Sequence, residues 1–152
     1  KAGWCARCAG SRWSPALPFN AVFGRPVKLP AGFTNESLAA LGEDAVSLLC
    51  RGEIGPLAEQ FGYALDLGRG PEAAIRSDLA RSLAAIGAHT LGQPVAQSVR
   101  AVRYFQPSST RLVALVECLA PTDNGSKPLV ELIVTRDGEA HHITLEEIST
   151  DA

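Results

Sequence analysis

Two stretches decide the fold: Leu112-Val113-Ala114-Leu115-Val116-Glu117-Cys118-Leu119 and Leu129-Val130-Glu131-Leu132-Ile133-Val134-Thr135-Arg136. Both are short, rich in aliphatic and β-branched residues, and bounded by turn formers, which is the pattern of strands rather than helices. A polar loop from Pro121 to Pro128 containing Asp123-Asn124-Gly125 separates them. Asp137-Gly138 after the second is a hairpin signal, and residues 141–149 read as the strand that returns from it. Residues 95–106 alternate loosely up to Pro107 and supply one more strand.

A strand with one wet face alternates apolar and polar side chains, and these two do not. Leu112, Ala114, Val116 and Cys118 oppose Val113, Leu115, Glu117 and Leu119; Val130, Leu132 and Val134 oppose Leu129, Glu131 and Ile133. Both faces are apolar enough to require cover.

Upstream the period changes to that of helices. Thr34 or Asn35 caps a helix whose Leu38, Leu41, Ala45, Leu48 and Leu49 recur at steps of three and four, with Gly52 as its stop. Residues 54–61 form a short second helix with Pro56 in its first turn, and residues 62–68 a turn or short strand. Pro71 and Glu72 open a third helix, whose stripe is Ile75, Leu79, Leu83 and Ile86, with Arg76, Asp78 and Arg81 on the other side and Gly87 at its end. Helices first and antiparallel strands afterwards predict an α+β fold with helices on one face of the sheet. The other face must then meet residues 1–33, a partner subunit, or both. A homodimer through this outer sheet face is the expectation.

The chain of 152 residues and 16.0 kDa has the length of one domain. With 46% hydrophobic and 20% charged residues it is not a disordered chain. A formal net charge of −2 supplies no basic field for nucleic acid or an acidic membrane. No apolar run is long enough for a membrane span, so a cytoplasmic, soluble protein is expected. Residues 1–33 differ from the rest. Pro15, Pro18, Pro26 and Pro30 break regular structure, while Trp4, Trp13, Phe19, Phe23 and Phe33 are spread among them. They read as a leader or as an extended arm that covers an apolar surface, followed by a single domain over residues 34–152. They lack the continuous apolar stretch of a signal peptide.

Trp4-Cys5-Ala6-Arg7-Cys8 resembles the redox motif of thioredoxins but has no strand before it. A structural zinc needs four ligands, and this pair supplies two. Cys50 falls on a helix face and Cys118 in a strand, as small buried hydrophobes do. No metal and no cofactor are expected. Glu117 and Glu131, set in apolar strands, are candidates for shielded carboxyls with raised pKa, able to act as acid or base. The alternative is that each pairs with a nearby Arg such as Arg100, Arg103 or Arg111.

The order of elements over residues 34–150 resembles the nuclear transport factor 2-like superfamily, the cone-shaped fold shared with ketosteroid isomerases and small polyketide cyclases. The segments that carry the resemblance are Cys50-Arg51-Gly52-Glu53-Ile54 through Phe61, Gly70-Pro71-Glu72 and Thr135-Arg136-Asp137-Gly138. It implies about three N-terminal helices on a curved, mainly antiparallel sheet, with a pocket between them for a small, mainly apolar molecule. In the isomerase branch an Asp after the second helix is the general base, and Asp66 is its counterpart by position. Glu131 lies roughly where the family's second acid would be. The family's oxyanion Tyr on the first helix is absent, and Tyr63 and Tyr104 are the only tyrosines. The resemblance thus implies an isomerase, cyclase or hydrolase with Asp66, Tyr63 and Glu131 as catalytic groups and Glu117, Arg103, Tyr104 and His141 lining the ligand site. The other reading of the same fold is a non-catalytic dimerisation or binding module.

Overall fold

Thr34 opens the first helix by a reciprocal cap. Its hydroxyl accepts from the Ser37 backbone N–H at 3.3 Å, and the Ser37 hydroxyl accepts from the Thr34 N–H at 2.8 Å. The computed structural model describes residues 26–150. In chain order these form β1 (Val27–Leu29), α1 (Asn35–Cys50), α2 (Ile54–Phe61), α3 (Pro71–Ala85), β2 (Val99–Tyr104), β3 (Leu112–Leu119), β4 (Pro128–Asp137) and β5 (Ala140–Thr150). The described residues have an α+β fold: three helices and one five-stranded antiparallel sheet of order β1-β5-β4-β3-β2. Among the described residues, no helix is long and apolar enough to cross a membrane.

The strand β1 falls inside the stretch read as an arm. Val27, Lys28 and Leu29 pair with Ile143, His142 and His141, and Pro26 and Pro30 flank them, as an edge strand tolerates. Residues 26–33 are thereby tied to the sheet, and Phe33 stands edge-on to the His141 ring at 5.2 Å. The aromatic residues Trp4, Trp13, Phe19 and Phe23, with Cys5 and Cys8, lie outside the described residues.

One sheet face carries the core. Ala114, Val116 and Cys118 of β3, Val130, Leu132 and Val134 of β4, and Ile143, Leu145 and Ile148 of β5 are all buried. They meet Leu38, Val46, Leu49, Leu57, Phe61 and Ile75 from the helices. α1 lies very close to the sheet at Gly42, where an added Cβ would stand 2.8 Å from Cys118 Sγ and 3.0 Å from Val116 Cγ1. Burial pushes the Cys118 thiol up to about 12, so it behaves as a small hydrophobe. Cys50 is half-buried.

The buried side of α3 is turned from the one periodicity predicts. Ala74, Ile75, Asp78 and Ser82 face inward, while Leu79 and Leu83 are half-buried at its flank. The reason is polar. Beyond β1 the edge of β5 is uncovered, and an uncovered edge needs partners. Ser82 Oγ donates to the Ile148 carbonyl at 3.2 Å, the Ala64 N–H donates to the Leu145 carbonyl at 2.9 Å, and the Ile148 N–H donates to Tyr63 Oη at 3.3 Å. The hairpin turn is also displaced by one residue from the predicted Asp137-Gly138. Asp137 pairs with Ala140, and the loop is Gly138-Glu139, with Gly138 at φ 61°, a position where glycine carries no steric penalty.

Candidate functional site

Polar chemistry collects in two places, one on each side of the sheet. On the helix side, Tyr63 Oη donates to Asp78 Oδ2 at 2.7 Å while accepting from Ile148. Asp78 also receives Arg69 Nη1 at 3.2 Å and Arg81 Nη2 at 2.9 Å. The side chain of Arg69 continues to the carbonyls of Asp66 and Leu65, at 3.0 and 2.8 Å. This clamp fastens the 63–70 loop to α3 and β5. Burial alone would raise the Asp78 pKa, but the hydrogen bonds from Arg69 and Tyr63 and the two guanidinium charges outweigh it and hold the carboxyl below its ordinary value. Burial, then the bond to Asp78, pushes the Tyr63 phenol well above its ordinary value. A phenol so raised and so engaged is a structural strut.

Asp66 is buried in the same loop. Its Oδ1 accepts the Gly68 N–H at 3.2 Å, an Asx turn in which Leu67 takes φ 50°, and its Oδ2 has no hydrogen-bond partner in the structure. The three groups assigned to catalysis do not converge. Tyr63 and Asp66 lie with the helices, whereas Glu131 is on the opposite face of the sheet, in register with Glu117 rather than with the core residues Val130 and Leu132. The ligand set is dispersed too. Arg103 and Glu117 are on the outer face, Tyr104 is half-exposed near the end of β2, and His141 packs on Phe33. Adjacent His142 pairs across from Thr135 and Lys28.

The second collection is this outer face. The register lines up Ala101, Glu117, Glu131 and Glu147 across β2, β3, β4 and β5, three carboxylates on neighbouring strands. The adjoining rows are Arg103, Leu115, Ile133 and Thr144 on one side, and Leu119, Leu129 and Ser149 on the other. Like charges directly opposite one another destabilise a sheet. Arg103 answers one of them: its Nη2 stands 3.0 Å from Glu117 Oε2, an ion pair without the alignment of a hydrogen bond. Among the described residues, no three His, Cys, Asp or Glu are grouped so as to hold a metal.

Desolvation, then the charges of Glu147 and Glu117, raises the Glu131 pKa above its ordinary 4.5, and Glu146 is raised by burial and by Glu147. A carboxyl with a raised folded pKa is penalised when ionised, so its contribution to stability is lost as pH rises through the folded value. Asp78 has the opposite sign: its contribution is full above the ordinary 3.8 and is lost as pH falls through the lower folded value. The melting temperature is therefore expected to rise as pH falls from 7.5 toward 4.5 and to fall again below 3.8. In Glu131→Gln the rise is smaller. A melting temperature that falls steadily from pH 7.5 downward would contradict this assignment.

Surface grooves accompany these groups. One of about 480 Å³ runs between the C-terminal end of α1 and α3, lined by Leu49, Cys50, Leu79, Leu83 and Leu91. Its cations are engaged, Arg51 by Glu53 at 3.0 Å and Arg76 by Glu72 at 2.8 Å. One of about 600 Å³ lies beside β1 and the 138–139 turn, and one of about 140 Å³ is bordered by Phe105, Arg136 and His141. None of the three is lined by Asp66, Tyr63 or Glu131. No protein-family model, curated protein or solved structure matches this chain.

Signals for the clamp were thin in the sequence. Asp78 and Arg69 look like solvated charges on a helix and in a loop, and only the buried phenol of Tyr63 gives them a role. Glu147 is found only through the strand register.

Proposed function

We propose that the chain is a non-catalytic binding module of the nuclear transport factor 2-like type that works through the outer face of its sheet. The observation that carries this reading is the Glu117-Glu131-Glu147 row, set among half-buried Leu115, Ile133, Leu119 and Leu129, with Arg103 paired to Glu117. Such a face lowers its free energy by taking up a cationic surface with apolar or aromatic groups. The register bears on the expected homodimer as well. A two-fold axis through this face would set the acidic row of one copy against that of the other, so a partner of opposite charge fits better than a second copy. On the helix side a continuous cluster of buried side chains joins the helices to the sheet, and the phenol of Tyr63 and the carboxylate of Asp78 are bound to each other.

One observation favours the acid–base reading, in which a small apolar molecule is the substrate: the buried, unpartnered Oδ2 of Asp66. Two measurements separate the readings. A fluorescent peptide of alternating arginine and tryptophan is expected to bind saturably, more weakly in salt. Binding should weaken about tenfold in Glu131→Lys/Glu147→Lys, as the loss and reversal of two charge contacts implies, and stay unchanged in Asp66→Asn. A thermal-shift screen against sterols, aromatic polyketide-like compounds and fatty acids should be silent. A small molecule that raises the melting temperature by several degrees, with the effect lost in Asp66→Asn, would overturn the docking reading and restore Asp66 as a base.

A further inference from the structure

The charges of this chain are segregated. Residues 1–25 hold four of the 14 cations (Lys1, Arg7, Arg12 and Arg25) and none of the 16 acids, which leaves the remainder with ten cations against sixteen acids. The same 25 residues contain both tryptophans, Trp4 and Trp13, with Phe19 and Phe23. A cationic, aromatic segment and an acidic, half-apolar sheet face are thus parts of one polypeptide.

We propose that residues 1–25 are a ligand of the outer sheet face, with their cations against the Glu117-Glu131-Glu147 row and their aromatic side chains over Leu115, Leu119, Leu129 and Ile133. This inference rests on the docking role of that face and names its first occupant. Charge complementarity is one argument. Geometry is the second. Val27 pairs with Ile143 and Leu29 with His141, so the chain reaches β1 from the direction of Thr144 to Glu147, on the strand beside the end of the acidic row. An extended segment of this length reaches ~80 Å, whereas four strand spacings cover ~20 Å. The segment is also tethered to the face. A ligand joined by a few residues to its site works at an effective concentration of the order of millimolar, so even weak charge and aromatic contacts keep it in place. A second copy lacks the complementarity, and a separate partner lacks the tether. A partner that docks on this face must then compete with the segment for it.

The two tryptophans make the test direct, because no described residue is a tryptophan and their emission reports on this segment alone. In the full chain the emission is expected to be blue-shifted and poorly quenched by acrylamide. In Glu131→Lys/Glu147→Lys, with unchanged far-ultraviolet circular dichroism, emission moves toward that of free tryptophan, and the covered-to-open ratio falls about tenfold. Glu131→Gln/Glu147→Gln, which removes the charge without reversing it, gives a smaller shift and serves if the lysine variant does not fold. Sodium chloride acts on the wild type in the same direction. Tryptophans fully open in the wild type, or shielded but indifferent to both pairs of substitutions, would overturn the proposal. Should the tryptophans be open while the arginine–tryptophan peptide still binds the acidic row, the docking role stands and only its occupant is wrong. If the peptide fails as well, both fall.

Discussion

Asp78→Ala is expected to lower stability at pH 7 by about 3 kcal/mol, since it removes a charge-assisted hydrogen bond and leaves the buried Tyr63 hydroxyl without an acceptor. In a domain of this size that is a fall of roughly 6–12 °C in melting temperature. The two arginines add little, because both guanidinium groups reach solvent and regain hydration when the carboxylate is gone. Tyr63→Phe deletes the same bond from the other side and leaves the Ile148 N–H without its acceptor, so it should be similarly costly. The double variant should cost clearly less than the sum of the two, as for partners in one network. Chemical or thermal denaturation of the four proteins checks this. A loss below about 1 kcal/mol in Asp78→Ala, the level of an exposed ion pair, would mean that the clamp is not what fastens the loop.

The second large effect is expected at Gly42. A side chain there enters space already held by Cys118, Val116 and Val99, whose atoms stand 2.8, 3.0 and 3.1 Å from the added Cβ. Gly42→Val should therefore destabilise by about 2–3 kcal/mol, the upper range for overpacking, despite the better helix propensity of valine over glycine. The substitution also tells a filled interior from a hollow one. If an open pocket lay between α1 and the sheet, the extra methyl groups would be accommodated, and the helix would gain a few tenths of a kcal/mol. A neutral or stabilising Gly42→Val would thus argue for the small-molecule reading.

Much of the fold was legible because its signals are local. Thr34 as a cap, Pro71 in a first turn, and two mainly apolar stretches around 115 and 132 need no knowledge of the rest of the chain. The apolar character of both faces of β3 and β4 was equally plain, and it led to the outer face. What failed was what depends on partners far along the chain. The helical pattern puts Asp78 mostly on the wet side of α3, where a carboxylate is normally solvated; the phenol of Tyr63, fifteen residues earlier, overrules the pattern. β1 was hidden by its length of three residues and its flanking prolines. The triad of Asp66, Tyr63 and Glu131 was assembled by analogy of position, and the parity of β4 places Glu131 on the other side of the sheet from the other two. The acidic row was out of reach for a related reason. The register shift between Glu131 and Leu132 decides that Glu147, and not Glu146, stands opposite Glu131, and no local pattern announces a bulge.

Docking of a cationic partner on the outer face of the sheet is best checked by titrating the ¹⁵N-labelled full chain with the arginine–tryptophan peptide and mapping the shifted amide resonances. Docking there shifts a cluster over residues 115–119, 129–133 and 144–149, continuous across β3, β4 and β5. Shifts confined to the groove of Leu49, Leu79, Leu83 and Leu91, or to the loop around Asp66, would contradict it and move the working surface to the helices.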